Sequence, residues 1–294
     1  MDREFWQRRI ATLDPVEDFH EIYRITALHE LPWDTNQALS FALFRTYAVP
    51  SIGRLLYETG EFTERVQKRY DDTGLLLDEV LHHGLDDPAG RRAVRRVNQM
   101  HAMYDISNDD MRYVLATFMT VPIRWMDTYA WRPMSEAEKV AACTYYRELG
   151  RHMAIRDMPG TWPEFGELMD AYEQEHFAYD AGATAVADAT MGLMATFPPN
   201  HLAPRPLIQR FSYALMDEPL LDAFGYPHPK PWERMAAKAA LRARSAYVRR
   251  TPPREAAFRF ADLPGVRSYP RGYEVDRLGT HTPAAVGCPV HAGA

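Results

Sequence analysis

The segment 91–131, RRAVRRVNQMHAMYDISNDDMRYVLATFMTVPIRWMDTYAW, decides how the chain is interpreted, because it places one histidine on the apolar face of a helix. Side chains spaced i, i+3, i+7 and i+10 share one side of a helix, and the stripe here comprises Val94, Val97, His101 and Tyr104. His101 has two interpretations. It is either a core histidine bonded to a backbone carbonyl or an axial ligand of a metal or haem iron, since imidazole is the commonest metal-binding side chain.

Four arginines lie beside that stripe, at positions 91, 92, 95 and 96. One interpretation is a solvated helix face. The other is an anion-binding role, for example toward the propionates of haem, because the guanidinium fork pairs well with carboxylates. Arg95 is the member of this group that we take as a cofactor-binding candidate.

The composition is that of a globular protein, with 46% hydrophobic and 25% charged residues in a chain of 294. Its formal charge of −6 argues against binding to nucleic acid. The amino terminus is charged from its second residue and has no apolar core of the signal-peptide type. The most apolar run, 181–197, contains Asp188 and is shorter than a membrane span. We therefore expect a cytoplasmic protein with no transmembrane segment.

Helical periodicity recurs along the chain, and no strand alternation or phosphate-binding loop is visible. Gly60 suits a helix end, and Thr73, Asp87 and Ser135 are candidate helix caps. The sequence therefore predicts an all-α protein. The predicted parts are an N-terminal extension (1–35) with a short helix and a loop, a helical catalytic domain (36–250) and an extended tail (251–294). A long helix begins at Pro88 and carries the His101 stripe, and a second begins at 107–110 and runs through Val121, with Pro122 bending or ending it. Further helices are predicted over 73–84, 135–153, 161–180, 181–197, 207–224 and 231–250.

The two cysteines, Cys143 and Cys288, lie in unrelated contexts and predict neither a disulfide nor a paired-cysteine zinc site. Both are expected to be free thiols. Because Cys288 precedes Pro289, and a Cys-Pro pair can bind haem through its thiolate, Cys288 is a second candidate haem ligand.

Three Glu-x-x-His spacings offer an alternative chemistry, since ferritin-like bundles hold two irons with this pattern. The bundle also needs carboxylates from two further long helices, whereas 22 prolines divide this chain into shorter pieces. A non-haem di-iron oxidoreductase therefore stays open as an alternative. The pairs are Glu17 with His20, Glu79 with His82, and Glu173 with His176.

Methionine and aromatic side chains recur through 100–146 at helical spacing. They form either ordinary core or an adaptable apolar pocket, because methionine fills irregular gaps. An apolar interior with one histidine suits haem better than a hydrated divalent metal, which needs several polar ligands.

Several motifs in order carry a resemblance to a known family. They are RYDDT at 69–73, the segment 91–118 quoted above, and WRPMSEAEKVAACTYYRELGRHMAIRDMPGTWPEF at 131–165. Together they resemble the oxygenase family that contains MpaB and the latex clearing proteins, or rubber oxygenases. The resemblance runs from about His29 to the end of the 181–197 helix.

The resemblance implies a b-type haem inside a globin-like helical core. It implies that His101, in the motif Asn98-Gln99-Met100-His101, is the proximal iron ligand, and that Arg69 and Thr73 lie near the haem. Asn98 joins the cofactor-binding candidates through the same motif. A proximal imidazole leaves the sixth iron site open for dioxygen, and known members cleave a carbon–carbon double bond of an isoprenoid chain to give carbonyl products.

The chain departs from the family pattern in three places. Rubber-cleaving members have a lysine before the threonine where this chain has Asp72, and an acid cannot replace an amine as distal ligand. Their upstream glutamate has no clear match, although Glu58 and Glu61 are nearest. The fungal members carry a membrane anchor that we do not expect here.

Two of the site residues keep simpler interpretations. Arg69 either stabilises a propionate or a developing oxygen anion, or forms an ion pair with Asp71 or Glu64. Thr73 either donates to bound oxygen or caps a helix. The prediction is a single all-α domain that binds haem b through His101 and acts as an oxygenase on a hydrophobic substrate of the isoprenoid or olefinic type. A carrier of haem or gas without turnover is the third alternative, because a fold does not fix function.

Overall fold

The computed structural model describes residues 2–280, and every regular element in that part of the chain is a helix. The all-α prediction is confirmed. The fourteen α-helices of the described residues are α1 (Phe5–Ile10), α2 (Phe19–Ile25), α3 (Pro32–Tyr47), α4 (Pro50–Glu58), α5 (Glu61–Glu64), α6 (Val66–His83), α7 (Pro88–His101), α8 (Asn108–Tyr129), α9 (Glu136–His152), α10 (Trp162–His176), α11 (Ala181–Met194), α12 (Arg205–Leu215), α13 (Glu218–Phe224) and α14 (Pro231–Val248).

Helix α8 is the longest helix in residues 2–280 and lies at the centre, packed against α3, α9 and α10. Pro122 lies inside it, so of the two outcomes predicted for this proline, bending or ending the helix, the second does not occur. Ile123, Trp125 and Met126 are buried beyond the proline, and this packing continues the helix to Tyr129 despite the missing N–H. The other principal helix pairs are α2 with α9 and α6 with α7.

Three of the predicted helix starts are confirmed by side-chain caps. The Asp87 carboxylate accepts a hydrogen bond from the Ala89 N–H at 2.7 Å, and the Ser107 hydroxyl accepts one from the Asp110 N–H at 3.0 Å. Ser135 and Glu138 form the predicted capping box at the start of α9. These caps satisfy N–H groups that a helix start leaves without partners.

Two helix predictions are wrong. Thr73 does not cap a helix, because α6 begins at Val66 and places Thr73 in its interior. The polar stretch before Thr73 stays helical because its acidic residues find partners in the C-terminal part of the chain. The predicted helix 207–224 is two helices, since the Asp217 side chain accepts from the Leu220 N–H and starts α13.

The C-terminal segment, residues 258–280, lies along α6 and is held by buried carboxylates of that helix. Asp71 accepts hydrogen bonds from the Arg267 N–H at 3.0 Å and from the Ser268 N–H and hydroxyl at 2.9 and 2.7 Å. Glu79 accepts from the Tyr273 hydroxyl at 2.6 Å. The predicted tail is therefore extended but well packed up to residue 280.

The end of that segment also contacts α7. Arg96 donates to the carbonyl oxygens of Leu278 and Thr280 at 2.7 and 2.6 Å. Gly279 lies between them with a φ of +77°, and a Cβ there would stand 2.0 Å from the Met100 sulfur. Only glycine fits this backbone conformation and this close approach.

No helix within residues 2–280 combines the length and the apolar composition needed to cross a bilayer. Residues 2–31 include the helices α1 and α2 and a π-helix, Thr26–Glu30, where the sequence predicted one short helix and a loop. Since α2 packs on α9, the first part of the chain contributes to the core.

We expect Asp71→Asn to lower the free energy of unfolding by about 2 kcal/mol, because the amide loses the charge of a buried acceptor and leaves donors without a proper partner. Urea denaturation measures this change. Asp109→Asn is the matched control, since the Asp109 carboxylate is exposed and meets Arg112 at 3.0 Å. Equal effects of the two substitutions would contradict the importance assigned to the α6 carboxylate.

Candidate functional site

A cavity of about 420 Å³ lies between the consecutive helices α3 to α9. Its volume falls in the range of small-molecule binding sites. The walls are mainly aliphatic and aromatic, with a few polar groups among them. The apolar lining residues include Leu55, Leu76, Val94, Val97, Met100, Met111, Phe118 and Leu149, and the polar ones include Tyr47, Glu61, Arg69, Thr73, His101 and Asp110.

His101 is the last residue of α7, and its side chain lines the cavity. The Nδ1 atom is buried and has no hydrogen-bond partner among residues 2–280. The interpretation of His101 as a core histidine bonded to a carbonyl therefore finds no partner within residues 2–280. A buried polar atom without a partner is costly, which is what a ligand-binding side chain shows when its ligand is not bound.

The electrostatic surroundings keep the imidazole neutral. Burial and, to a smaller extent, the positive charge of Arg69 together lower the pKa of His101 to about 4. At neutral pH the ring is therefore unprotonated, and one ring nitrogen has a lone pair that can bind a metal ion. Neutral imidazole is the form that binds a metal, because a proton would otherwise have to be displaced.

Arg69 and Thr73 lie one turn apart on α6, and both line the cavity. Arg69 Nη1 donates to the Thr73 hydroxyl oxygen at 2.8 Å, and that hydroxyl donates to the Arg69 carbonyl oxygen, also at 2.8 Å. The guanidinium lies 5.1 Å from the centre of the Phe62 ring. Burial lowers the pKa of Arg69.

Arg69 does not form the ion pair that was one of its two predicted interpretations. Within residues 2–280, no carboxylate oxygen lies within 4.0 Å of its guanidinium nitrogens, and Asp71 is engaged by Gln67 and Ser268 instead. Among the described lining residues, Arg69 is the only arginine or lysine. The cavity therefore presents one buried cation near His101.

The two further cofactor-binding candidates lie outside the cavity lining. Arg95 is exposed on α7, and the Asn98 side-chain amide donates to the His152 carbonyl oxygen at 2.8 Å. Their cofactor-binding roles remain predictions. Of the neighbouring arginines, Arg91 donates to the Leu85 carbonyl oxygen, whereas Arg96 holds the C-terminal segment.

Asp72 does not line the cavity. Its carboxylate accepts from Lys68 Nζ at 2.6 Å and from the Tyr269 hydroxyl, so it anchors the C-terminal segment. Of the two upstream glutamates, Glu61 lines the cavity and Glu58 does not. The Glu61 carboxylate pairs with Arg65 Nη2 at 2.5 Å.

Sequence reasoning missed several polar groups of the cavity wall. Asp110 was not among the predicted site residues, yet it lines the cavity, and its Oδ1 accepts from the Ser51 hydroxyl at 2.8 Å and from the Tyr172 hydroxyl at 3.0 Å. Tyr47, at the end of α3, and Thr280 also line the cavity. Because these residues are far from His101 in the sequence and belong to no local motif, no signal in the sequence indicated that they would line the same cavity.

A second, smaller cavity of about 100 Å³ adjoins the first. The two share wall residues from α3, α6, α8 and α9, so only side chains separate them. The shared residues are Leu43, Thr73, Leu77, Phe118, Tyr146 and Leu149.

The residues of the di-iron alternative are engaged elsewhere. Glu173 accepts from Arg45 Nε at 2.6 Å, and His176 Nδ1 lies 3.0 Å from the Tyr172 carbonyl oxygen. His82 Nε2 lies 2.9 Å from the Phe258 carbonyl oxygen. Residues 2–280 contain no group of three or more His, Cys, Asp or Glu side chains that could hold a metal ion. The alternative gains no support.

Of the two cysteines, Cys143 lies in the described part of the chain. Cys143 is a buried free thiol, and burial raises its pKa to about 11, so it is protonated at neutral pH. This agrees with its predicted role as a free thiol. Cys288, the second candidate haem ligand, lies outside the described residues.

Comparison with known proteins identifies relatives of this chain. The sequence profile described as "ER-bound oxygenase mpaB/B'/Rubber oxygenase, catalytic domain" matches residues 37–249. The ER-bound oxygenase mpaB of Penicillium roqueforti (strain FM164) is 31% identical over 229 residues, which cover 71% of this chain and 76% of that protein.

Two proteins of Penicillium brevicompactum are also similar. ER-bound oxygenase mpaB' is 30% identical over 271 residues, covering 84% of this chain and 62% of the relative. ER-bound oxygenase mpaB is 34% identical over 148 residues, covering 47% and 37%. The matched part is thus less than two thirds of the length of both of these relatives.

We expect the cofactor-free chain to lose about 2 kcal/mol of its free energy of unfolding through His101 alone between pH 7 and pH 5. The folded pKa is about 4 and the ordinary value is 6.5, so the unfolded chain takes up a proton that the folded chain refuses. Urea denaturation at both pH values measures the loss, which His101→Gln should remove. Val97→Ala replaces one uncharged side chain of the cavity wall by another and should leave the pH dependence intact. An unchanged pH dependence in His101→Gln would contradict the neutral buried ring.

Proposed function

Because the chain belongs to the family of the ER-bound oxygenases mpaB and mpaB' and the rubber oxygenases, we propose that it is a haem b-dependent oxygenase whose active site is the His101 cavity. The observation that carries the proposal is the neutral imidazole of His101, which faces an apolar cavity without a hydrogen-bond partner among residues 2–280. Its substrate is a hydrophobic molecule with an olefinic chain, isoprenoid chains being the leading candidates.

The residues of the cavity fit a haem group. His101 supplies a neutral nitrogen ligand, and the aliphatic wall around it suits the faces of a porphyrin. Arg69 supplies the positive charge that a propionate carboxylate would pair with, since Asp72 and Glu61 act on it only from a distance and no described carboxylate forms an ion pair with it. When bound, haem supplies the redox-active iron at which dioxygen reacts.

The apolar walls select the substrate by excluding water and solvating hydrocarbon. Burial of a hydrocarbon chain gains about 0.8 kcal/mol for each CH₂ group, so a chain of a few isoprene units binds without polar contacts. The smaller cavity behind Leu77 and Phe118 offers further apolar surface for the same chain. The reaction then inserts both atoms of dioxygen across one C=C bond, which breaks to give two C=O groups.

Arg69 and Thr73 take different roles in this proposal. The Arg69 guanidinium stabilises negative charge in the cavity, either on a propionate or on oxygen that gains charge during the reaction. The Thr73 hydroxyl donates its hydrogen bond to the Arg69 carbonyl oxygen and accepts one from the Arg69 guanidinium. Thr73 is therefore a positioning residue for Arg69.

The cellular location remains a prediction. The sequence predicts a cytoplasmic protein, whereas the named fungal relatives are described as ER-bound.

We expect the purified protein to bind one haem per chain with a Soret band, and His101→Ala to abolish that band. His176→Ala is the control, because His176 contacts Tyr172 outside the cavity and should leave the band unchanged. Absorbance spectra and iron analysis measure both. Two irons per chain without a Soret band would favour the di-iron alternative and overturn the proposal.

We expect Arg69→Gln to lower oxygen consumption with an olefinic lipid by about 100-fold, because it removes the buried charge that stabilises a developing anion. Thr73→Val should lower it less, since Arg69 keeps its charge but loses its fixed orientation. Arg124→Gln, which removes an exposed arginine paired with Asp170, is the control. Haem binding without oxygen consumption on any olefinic lipid tested would favour a haem or gas carrier.

A further inference from the structure

The surface formed by α12, α14 and the turn before them exposes an unusual number of large apolar side chains. Residues 2–280 contain eleven large hydrophobic residues that are exposed, and six of them lie here. We call this the α12–α14 surface. Its apolar members are Leu202, Leu207, Phe211, Trp232, Met235 and Tyr247, and their exposed fractions range from 37% to 79%. Contiguous exposed apolar patches mark interaction sites.

The helices α12 and α14, which carry most of these side chains, lie side by side. Helix α12 packs against α14, and Arg210 Nε donates to the Glu233 carboxylate at 2.7 Å between them. Phe211 and Trp232 are the sequence neighbours of this ion pair. The exposed apolar residues of α12 and α14 are therefore carried by two adjacent helices that an ion pair joins.

The exposed face of α14 is apolar along its whole length. Trp232, Met235 and Tyr247 lie at i, i+3 and i+15, on the side of the helix opposite the buried Leu241 and Ser245. From Trp232 to Tyr247 the helix rises by about 22 Å. Its two exposed aromatic residues therefore lie near opposite ends.

A row of cations runs beside this apolar face. Lys238, Arg242 and Arg249 are exposed, and no described carboxylate lies within 4.0 Å of their charged nitrogens. Glu233 is the one acidic residue in α14, and Arg210 neutralises it. In a chain with a formal charge of −6, this face is locally positive.

We propose that the α12–α14 surface binds the surface of an anionic lipid bilayer, with α14 lying in the plane of the interface. Apolar side chains enter the boundary between headgroups and acyl chains, and lysine and arginine reach the phosphates, which is the pattern of an interfacial helix. Tryptophan and tyrosine favour this boundary because one end of each ring is apolar and the other polar.

A second copy of the chain fits this surface less well. Pairing of two identical faces around a two-fold axis brings the cation rows of both copies to the same interface, and no described carboxylate on the face offsets them. Anionic lipid has the complementary charge.

Membrane binding does not depend on the proposed haem chemistry, because α12 and α14 contribute no residue to the His101 cavity. It adds a source for the substrate, since a hydrophobic molecule partitions into the bilayer on which the protein would lie. The two proposals therefore fail separately: vesicle binding tests one, and the Soret band tests the other.

Vesicle flotation of the full chain tests the surface. We expect binding to vesicles of phosphatidylcholine containing about one third phosphatidylserine, and a strong loss of binding between about 0.1 M and about 0.5 M salt. Lys238→Gln/Arg242→Gln/Arg249→Gln should weaken binding by about 100-fold, at about fivefold for each charge. Trp232→Ala/Met235→Ala should weaken it by about tenfold.

Controls remove the same groups from other surfaces. Arg8→Gln/Arg151→Gln/Arg156→Gln makes the same change in net charge, and Tyr179→Ala removes an exposed aromatic side chain. Neither should change vesicle binding by more than about twofold. Thermal unfolding of each variant shows whether it is folded.

Three results would overturn the proposal. They are no binding to the phosphatidylserine-containing vesicles, equal binding by all variants, and a dimer in light scattering that Trp232→Ala/Met235→Ala converts to a monomer. The last would assign the surface to a contact between copies.

Discussion

The structure depends on an imidazole that is held neutral at the carboxyl end of a helix. A helix C-terminus stabilises a protonated histidine by up to about 2 kcal/mol. The fall in the pKa of His101 from 6.5 to about 4 corresponds to about 3 kcal/mol in the opposite direction, so burial and the charge of Arg69 prevail. Contacts of α7 elsewhere along the helix stabilise the position of His101. Asp87 caps its start, and Gly90 lets it approach the Gly84 carbonyl oxygen, to which a Cβ would come within 1.8 Å.

Helix α6 uses one face to line the cavity and another to hold the C-terminal segment. Arg69 and Thr73, one turn apart, face the cavity, whereas Asp71 and Asp72 between them face the C-terminal segment. Asp72, at the position where the resemblance to rubber-cleaving members leads one to expect a lysine, thus lies on the face of α6 that contacts the C-terminal segment. Its carboxylate accepts a hydrogen bond from the Tyr269 hydroxyl and so anchors that segment.

The sequence predicted those features that depend on neighbours within one or two helical turns. The caps at Asp87 and Ser135 and the apolar stripe that includes His101 follow from spacing alone, and Arg69 and Thr73 came from a motif shared with a family. The features that it missed depend on distant contacts. The start of α6, the side to which Asp72 points and the places of Tyr47 and Asp110 in the cavity wall are decided by packing between segments far apart in the chain, which periodicity cannot show.

The position of Thr280 in the cavity wall has a consequence for the order of biosynthesis. The helices that carry Arg69 and His101 leave the ribosome long before residues 258–280, whose contacts with Asp71 and Arg96 complete the enclosure. During translation the cavity therefore lacks Thr280 until residues 258–280 have been made. Its wall joins segments that are far apart in the chain, so the cavity takes its full shape later than the helices that carry Arg69 and His101.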